Sequence, residues 1–409
     1  MRHVEVSSTA IDLSASSAGA RAAARGEPAP RRALAAAFLG ILIGPFDVGL
    51  VGVGLSSISA RFGGDVTSGQ LVVLVYLALI TASYVPFGRL ADRRSPASVL
   101  RLGLLLVAAG ALLVAFAGDF ALVLVGRALQ GAGAAAAVSG SQAVAFAASG
   151  AARAGRSLGL VHVAVGLGML AGPVVGGLVV ERSGWQAAFL IEPPIALVAI
   201  LLARGPRPAH HVRDASSVIA LLRRPGLTAG LVLAVLTFTA MSANMFLVPY
   251  LLQRPLALAP SSAGLLMAIV PAGILVGALP AGALADRYGS RWPSTAGLAL
   301  VALGILGFAL ASSVEVVGLA LATYGLGAAL FQSPNNLAVL AAAPPGGLGL
   351  ASGLLGTSRQ LGQILGVLLS GSLIRISGGL DAPSAYPLAF AVLAGLAGLA
   401  LVFAYRQRR

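Results

Sequence analysis

The sequence predicts an all-α membrane protein with twelve transmembrane helices in two six-helix bundles, and three observations predict this fold. Hydrophobic residues make up 58% of the chain and charged residues only 10%, which is more apolar than a soluble domain requires. Apolar stretches long enough to cross a bilayer recur along the whole chain. Arginine is concentrated in alternate breaks between these stretches. We therefore expect a multi-pass protein of a bacterial inner or plasma membrane, surrounded by lipid.

The apolar runs divide into two sets of six. The first set lies at about 33–58, 68–88, 98–118, 120–148, 157–180 and 185–203, and the second at about 227–251, 261–285, 294–313, 315–343, 348–376 and 384–405. This division predicts an N-terminal bundle over 33–203, a cytoplasmic linker over 204–226 and a C-terminal bundle over 227–405. Residues 1–32 and 406–409 are expected to be cytoplasmic tails, the first of them disordered and without the pattern of a secretory signal.

The basic residues predict the orientation, because short basic loops stay in the cytoplasm. All 27 of them are arginine, and 21 lie on the side of the N-terminal tail. The other side holds Arg61, Arg182, Arg254 and Arg375, and two more, Arg127 and Arg359, lie inside predicted spans. Both termini are therefore expected in the cytoplasm.

Composition also argues against other classes of protein. The net charge of +14 is spread over short loops, without the clustering that a nucleic-acid groove needs. The chain has no cysteine, no lysine and no HExxH pattern, so a metal-dependent hydrolase and a phosphate-cradling ATPase are not expected. A serine hydrolase is not expected either, because His3, His210 and His211, three of the four histidines, lie in the tail or the linker and cannot activate a nucleophile inside a span. We expect no enzyme activity, no metal and no cofactor. The expected partners are a small-molecule substrate, protons and membrane lipid, and the chain is expected to be a monomer.

An internal repeat supports two similar halves. GRLADRRSPA at 88–97 recurs as GALADRYGSR at 282–291, offset by 194 residues, and each copy closes the second span of its half. These loops, with LVLVGRALQGAGAA at 122–135, resemble the major facilitator superfamily, whose fold is two six-helix bundles around a central site. The resemblance implies gating roles for Gly88, Asp92, Arg93, Asp286 and Arg287. The first copy departs from the family pattern at Ser95 and Pro96.

Other stretches resemble the drug:proton antiporter, or multidrug efflux, branches of that superfamily. GLGMLAGPVVGG at 166–177 is similar to their fifth-span motif, and PFDVGLVGVGLSSI at 45–58, WQAAFLIEPPIAL at 185–197 and SRQLGQILGV at 358–367 resemble the fourteen-span drug exporters. The resemblance implies proton-coupled efflux of drug-like or natural-product molecules, and with it antibiotic resistance. Proton-coupled uptake of a small metabolite, such as a sugar or organic acid, is the alternative, because its fold would be the same.

Four charged residues inside predicted spans are candidates for the mechanism, since a charge in the membrane needs a partner or a task. Asp47 and Arg127 are expected at overlapping depths, where an ion pair is either a protonation switch or a static contact. Glu192 precedes two prolines and is either a second proton carrier or a hydrated residue near the outer surface. Arg359 has no acid inside any C-terminal span, so its partner is an acid of the N-terminal half, backbone carbonyls or the substrate. We expect it to act in gating or in a pair between the bundles.

Polar and aromatic residues in the spans are candidates for a substrate-binding lining, although each is equally a packing residue. They are Tyr76, Gln130, Gln142, His162, Asn244, Phe246, Gln332, Asn335 and Asn336. Small residues in the fifth span predict close helix packing, and they are Gly168, Gly172, Pro173, Gly176 and Gly177. We expect this glycine face to pack on the eighth span, across the interface between the bundles.

Overall fold

The structure is a computed structural model that describes residues 29–63, 65–149, 154–203, 218–289, 291–343, 348–382 and 384–407. Within these ranges every regular element is a helix. Helices suit this sequence because a helix pairs its own backbone hydrogen-bonding groups, which lipid leaves without partners. Most of the tail 1–32, most of the linker and residues 408–409 lie outside the described residues.

The N-terminal half contains six helices. They are α1 Ala29–Arg61, α2 Val66–Arg93, α3 Pro96–Ala115, α4 Phe120–Ser149, α5 Ala154–Phe189 and α6 Glu192–Leu202. The linker contributes α7 Val218–Leu222, and the C-terminal half contains seven helices. They are α8 Pro225–Gln253, α9 Pro260–Met267, α10 Ile269–Tyr288, α11 Arg291–Ala309, α12 Val314–Ala341, α13 Leu348–Ile376 and α14 Ala385–Gln407.

Ten candidate membrane spans are found in the described part of the chain, by length and hydropathy. The predicted sixth span is represented by the shorter helix α6, and the predicted eleventh by α13, which carries Arg359 in its interior. An all-helical architecture with candidate membrane spans is therefore observed in the described ranges. The count of twelve spans and the cytoplasmic location of the termini remain predictions.

The two halves repeat the same close helix approaches at the offset of 194 residues seen in the sequence. A Cβ built on Gly103 of α3 would meet the backbone of Gly133 in α4, and one on Gly297 of α11 would meet the backbone of Gly327 in α12. Each residue of the second pair lies 194 positions after its equivalent in the first. Because no larger side chain fits, glycine allows these backbones to pack directly.

Hydrogen bonds between the halves lie at one end of the molecule. We call this the outer end, because it contains the connections α1–α2 and α3–α4 that the arginine count predicts to be outside. Ser59 and Tyr250 share a hydrogen bond of 2.5 Å between their hydroxyl oxygens, and the Gln70 amide donates to the Val367 carbonyl at 2.8 Å. Each hydrogen bond between the halves that the structure describes lies in this outer part.

Candidate functional site

A buried cluster of charged and amide side chains lies inside the N-terminal half. Nη1 of Arg127 donates to both carboxylate oxygens of Asp47, at 2.7 and 2.9 Å, and to Oε1 of Gln130 at 2.9 Å. Nε2 of Gln130 in turn donates to Glu192 at 2.8 Å and reaches Asp47 at 3.3 Å. All four residues are at most 2% exposed. The cluster therefore links two carboxyl groups through one guanidinium and one amide.

The helices place these residues by simple spacing. Arg127 and Gln130 are three residues apart on α4, so they share a face one turn apart. Asp47 lies on α1 two residues after Pro45, and it meets Arg127 at the depth that counting along the two spans predicts. The contact between Asp47 and Arg127 could therefore be predicted from their positions in the sequence.

Glu192 reaches the cluster because the sixth span is broken. Gly184 has a φ of 81°, which reverses the chain after the fifth span, and residues 185–189 begin the return. Pro193 and Pro194 have no N–H to continue that helix, so a new one, α6, begins at Glu192. Glu192 lies in the first turn of α6, where the helix dipole favours a negative charge. Since Glu192 is fully buried, a hydrated position near the outer surface is wrong.

The cluster contains two acids and one arginine. If both carboxyl groups were ionised, a net charge of −1 would be buried, whereas one bound proton makes the cluster neutral. Oε1 of Glu192 has no hydrogen-bond partner among the described residues. Burying a net charge is costly, so the neutral state is favoured whenever a proton is available. Binding of one proton would therefore remove the net charge that the cluster buries.

Tyr76 and Gln130, expected in a substrate lining, belong to this cluster. The Arg127 guanidinium lies over the Tyr76 ring at 4.3 Å from its centroid, and Tyr76 is 2% exposed. The small gap that Gly44, Tyr76 and Gln130 line beside the cluster has no room for a water molecule. Both side chains therefore support the charged groups directly.

Arg359 and the tenth-span asparagines form a second polar site, in the C-terminal half. One guanidinium nitrogen of Arg359 donates to Oδ1 of Asn336, and the guanidinium carbon lies 5.5 Å from the centroid of the Phe238 ring. Nε of Arg359 and Oδ1 of Asn335 are buried without a partner among the described residues. The pair between the bundles that the sequence suggested for Arg359 is not found among the ion pairs that the structure describes.

Several other candidates lie elsewhere. Phe246 is fully buried and packs edge-on against Tyr250 at 5.6 Å, so it lines no open space in this structure, and its place in a substrate lining stays a prediction. Gln142 is exposed and Gln332 is half-buried. The side chains of His162 and Asn244 lie outside those the structure describes.

The repeated loop is described only in part. A Cβ built on Gly88 would meet no atom of the described residues within 4 Å, so these residues make no close helix approach at Gly88. Arg287 is exposed and stacks on Tyr288 at 5.3 Å. Gly289 has a φ of 76°, whereas its equivalent Ser95 has a φ of −60°, so the two copies end their helices differently. The side chains of Asp92, Arg93 and Asp286 are outside the described set.

Three of the five small residues of α5 pack on the first span, which corrects the expectation of the eighth for them, whereas Pro173 and Gly177 pack on α9, the start of the eighth span, as expected. A Cβ on Gly168, Gly172 or Gly176 would meet the backbone or side chains of α1 between residues 42 and 50. Helical periodicity identifies a small-residue face but not the helix that it meets. Pro173 and Gly177 do contact the C-terminal half, because the backbone of Gly264 approaches Pro173 and that of Pro260 approaches Gly177.

Sequence reasoning missed the outer contacts between the halves. Ser59, Gln70 and Tyr250 are buried residues of common type, and nothing in their spacing marks them. The available signal is glycine: a Cβ on Gly69 would collide with Tyr250, and one on Gly371 would collide with Gln70. Arg375 also reaches Gln70, at 3.3 Å.

The offset of 194 residues shows that the charged cluster has no counterpart in the C-terminal half. The positions equivalent to Asp47, Arg127, Gln130 and Glu192 are Met241, Leu321, Tyr324 and Tyr386. Tyr324 donates to the Met241 carbonyl at 2.9 Å, which replaces the charged contact by a neutral one. The two halves therefore share packing but not chemistry.

Two helical halves in register and a charged cluster within the membrane define a polytopic transporter fold. The Major Facilitator Superfamily model matches residues 37–236 and again 230–409, so the chain belongs to that superfamily. It is accordingly a multi-pass cell membrane protein, and it resembles the drug-efflux branches.

Named relatives and a solved structure agree with this assignment. The riboflavin transporter RibZ of Clostridioides difficile is 25% identical over 385 residues, covering 80% of this chain and 84% of that protein. The tetracenomycin C resistance and export protein of Streptomyces glaucescens is 23% identical, covering 86% and 76%. The inward-facing, unoccupied crystal structure of a bacterial homologue of the human lysosomal transporter Spinster has a TM-score of 0.80 at 15% identity, covering 93% and 97%. That structure shares the fold.

Proposed function

We propose that the protein is a proton-coupled exporter of amphipathic small molecules that works by alternating access and has no enzyme activity. The carrying observation is the buried cluster of Asp47, Arg127, Gln130 and Glu192. A cluster that becomes neutral by binding one proton couples protonation to the burial of charge. A water-filled path from the cluster to the inner side favours proton release, because the exposed charges are hydrated. Closing of the path favours the protonated cluster, because the buried net charge is then zero.

The contacts between the halves support alternating access. Hydrogen bonds between the halves close the outer end of the described structure, so substrate and protons exchange with the outside only after these contacts break. Rocking of one half on the other, about the α1–α8, α2–α13 and α5–α9 contacts, is the simplest movement that does this. A proton gained at the outer side then favours return to the closed state, because it neutralises the cluster before burial.

Efflux is favoured over uptake by the relatives that carry a resistance or export name, such as the tetracenomycin C protein. Uptake or release of a metabolite is the second candidate, and the riboflavin transporter relative favours it. Both share the proposed proton site. They differ in the relative direction of the substrate and the proton.

Transport by the purified full chain in liposomes tests the proposal. Rhodamine 6G or the anionic dye sulforhodamine B, placed inside or outside the vesicles, reports flux under an imposed pH gradient, in the wild type and in Asp47→Asn and Glu192→Gln. Antiport predicts that the dye moves against the proton flow and that both variants lose gradient-driven movement. Matched variants Asp119→Asn and Glu315→Gln, which change exposed acids, are expected to retain it.

Two results contradict parts of the proposal. Dye movement along the proton flow establishes symport and favours the metabolite transporter. Movement that ignores the pH gradient in the wild type, or that persists unchanged in both buried-acid variants, removes the cluster from the coupling mechanism.

A further inference from the structure

Arg359 faces the interior of the protein from the middle part of α13. The lipid-facing side of this helix is marked by Leu361, Leu365 and Leu368, which are 45%, 49% and 43% exposed. At 3.6 residues per turn, Arg359 lies about 150° around the helix from the centre of that face. It is eleven residues from the first residue of α13, Leu348, which places it roughly 16 Å from the inner end of the helix.

No carboxylate balances this charge in the part of the chain that the structure describes. The three acids of the C-terminal half, Asp286, Glu315 and Asp381, lie near helix ends or in a loop. The two buried acids of the N-terminal half are already bonded to Arg127 and Gln130. An arginine at this depth is costly without a partner. Arg359 therefore lacks the counter-ion that its location calls for.

The surroundings of Arg359 suit an aromatic or apolar anion. Phe238 covers one side of the guanidinium, and Asn336 accepts from one of its nitrogens, while Nε remains without a partner. One turn nearer the inner end, a Cβ built on Gly356 would meet no atom of the described residues within 4 Å, so these residues leave space beside this face. A planar guanidinium binds carboxylates, sulfonates or phosphates through paired hydrogen bonds.

The repeat shows that this charge is specific to the C-terminal half. The equivalent of Arg359, 194 positions earlier, is Val165. The N-terminal half thus carries the buried acids, and the C-terminal half carries the buried cation without a carboxylate. The site for protons and the site for an anion lie on separate halves.

We infer that Arg359 recognises an anionic group of the substrate, so that the transported molecules are amphipathic organic anions. This inference rests on the proposed transport function and adds the charge class of the substrate. Arg359 then contributes to substrate binding, in place of the gating role that its sequence position suggested. A bound substrate supplies the missing counter-ion. After its release the Arg359 guanidinium keeps its contacts with Asn336 and Phe238.

Binding of two related dyes to the solubilised full chain tests the inference. Sulforhodamine B is an anion and rhodamine 6G a cation on the same xanthene core, and fluorescence anisotropy gives a Kd for each. We expect the wild type to bind sulforhodamine B more tightly. Arg359→Gln should weaken that binding by about tenfold or more, as expected for a charge-assisted hydrogen bond, and leave rhodamine 6G unchanged.

Two further variants separate recognition from folding. Arg359→Lys keeps the charge without the paired geometry and should retain part of the preference for the anion. Arg182→Gln removes an exposed arginine and should change neither Kd. If Arg359→Gln does not fold, the comparison of wild type with Arg359→Lys and the dye preference of the wild type decide the matter.

The inference is overturned if the wild type prefers the cation or binds neither dye, or if Arg359→Gln weakens both dyes equally. It is also overturned if Arg359→Gln leaves sulforhodamine B binding unchanged. Gradient-driven movement of rhodamine 6G that survives in Arg359→Gln preserves the proposed antiport even where the anion inference fails. Loss of coupling in the wild type refutes the antiport and leaves the binding comparison intact.

Discussion

The hydrogen bond between Ser59 and Tyr250 stabilises the closed state of the outer end, so removing one of the two hydroxyl groups should raise the population of the open state. The two oxygens are 2.5 Å apart and both residues are fully buried, one at the end of α1 and the other near the end of α8. Tyr250→Phe removes the hydroxyl and keeps the ring on Phe246. Losing the bond and leaving the Ser59 hydroxyl unpaired costs the closed state about 1–2 kcal/mol, because opening rehydrates that hydroxyl. The ratio of open to closed molecules should therefore rise about tenfold.

Spin-label distances measure this shift directly, because the chain has no native cysteine. Arg61→Cys and Glu315→Cys place labels on exposed positions at the outer ends of opposite halves. Tyr250→Phe should increase the population at longer distance. Tyr324→Phe is the matched control, because its hydroxyl bonds to Met241 within one half.

The double variant Ser59→Ala with Tyr250→Phe sharpens the test. Replacing both partners leaves no stranded hydroxyl, so its distance distribution should lie nearer to wild type than that of Tyr250→Phe alone. Identical distributions in wild type and Tyr250→Phe would show that this bond does not hold the outer end closed. A Tyr324→Phe shift as large as that of Tyr250→Phe would refute the reasoning equally.

Three further outcomes follow from the packing and the charges. Gly172→Val should lower the free energy of unfolding by about 1–3 kcal/mol in thermal melts, because a Cβ at this position meets the backbone of α1. Gly395→Val is the control, since a Cβ there meets no described atom within 4 Å, and equal melting temperatures for the two variants would contradict this packing. Partial burial raises the pKa of Asp65, but hydrogen bonds from Ser68 outweigh it and lower the pKa overall, so the stability that this carboxylate contributes is present above about pH 4 and is lost as the pH falls through its folded pKa. Asp65→Asn should therefore melt at a lower temperature than the wild type above that pH, and the difference in melting temperature should shrink on acidification; a difference that stays constant would contradict this. Gln130→Leu removes the hydrogen bond to Glu192 and should abolish dye movement driven by the pH gradient, while dye binding without a gradient survives. Gradient-driven movement that persists in this variant would contradict the bridging role.

The sequence predicts much of the fold and part of the site. The Asp47–Arg127 contact was predictable because the helix rise converts residue number into depth, and opposite charges at overlapping depths inside the spans are stabilised by pairing. The similarity of the halves was predictable from the repeated loop, and the structure extends it to the glycine contacts at Gly103 and Gly297.

Other features depend on distances that a sequence does not contain. The burial of Glu192 results from a helix break at Pro193 and Pro194, and predicted span boundaries are too imprecise to place a residue five positions from an end. Periodicity gave the small-residue face of α5 but not its neighbour, since the first and eighth spans both offer suitable surfaces. The burial of the Phe246 ring was not predictable, because a span residue facing the core and one facing a cavity have the same sequence pattern.

Proton release on ligand binding tests the proton site most directly. Sulforhodamine B and rhodamine 6G are added separately to solubilised wild type and Asp47→Asn in weakly buffered solution with a pH indicator. The account predicts that a bound dye releases protons from the wild type and that Asp47→Asn, which still binds the dye, releases none. Equal release from both proteins would place the coupling proton outside the cluster of Asp47, Arg127, Gln130 and Glu192, and would contradict the central claim.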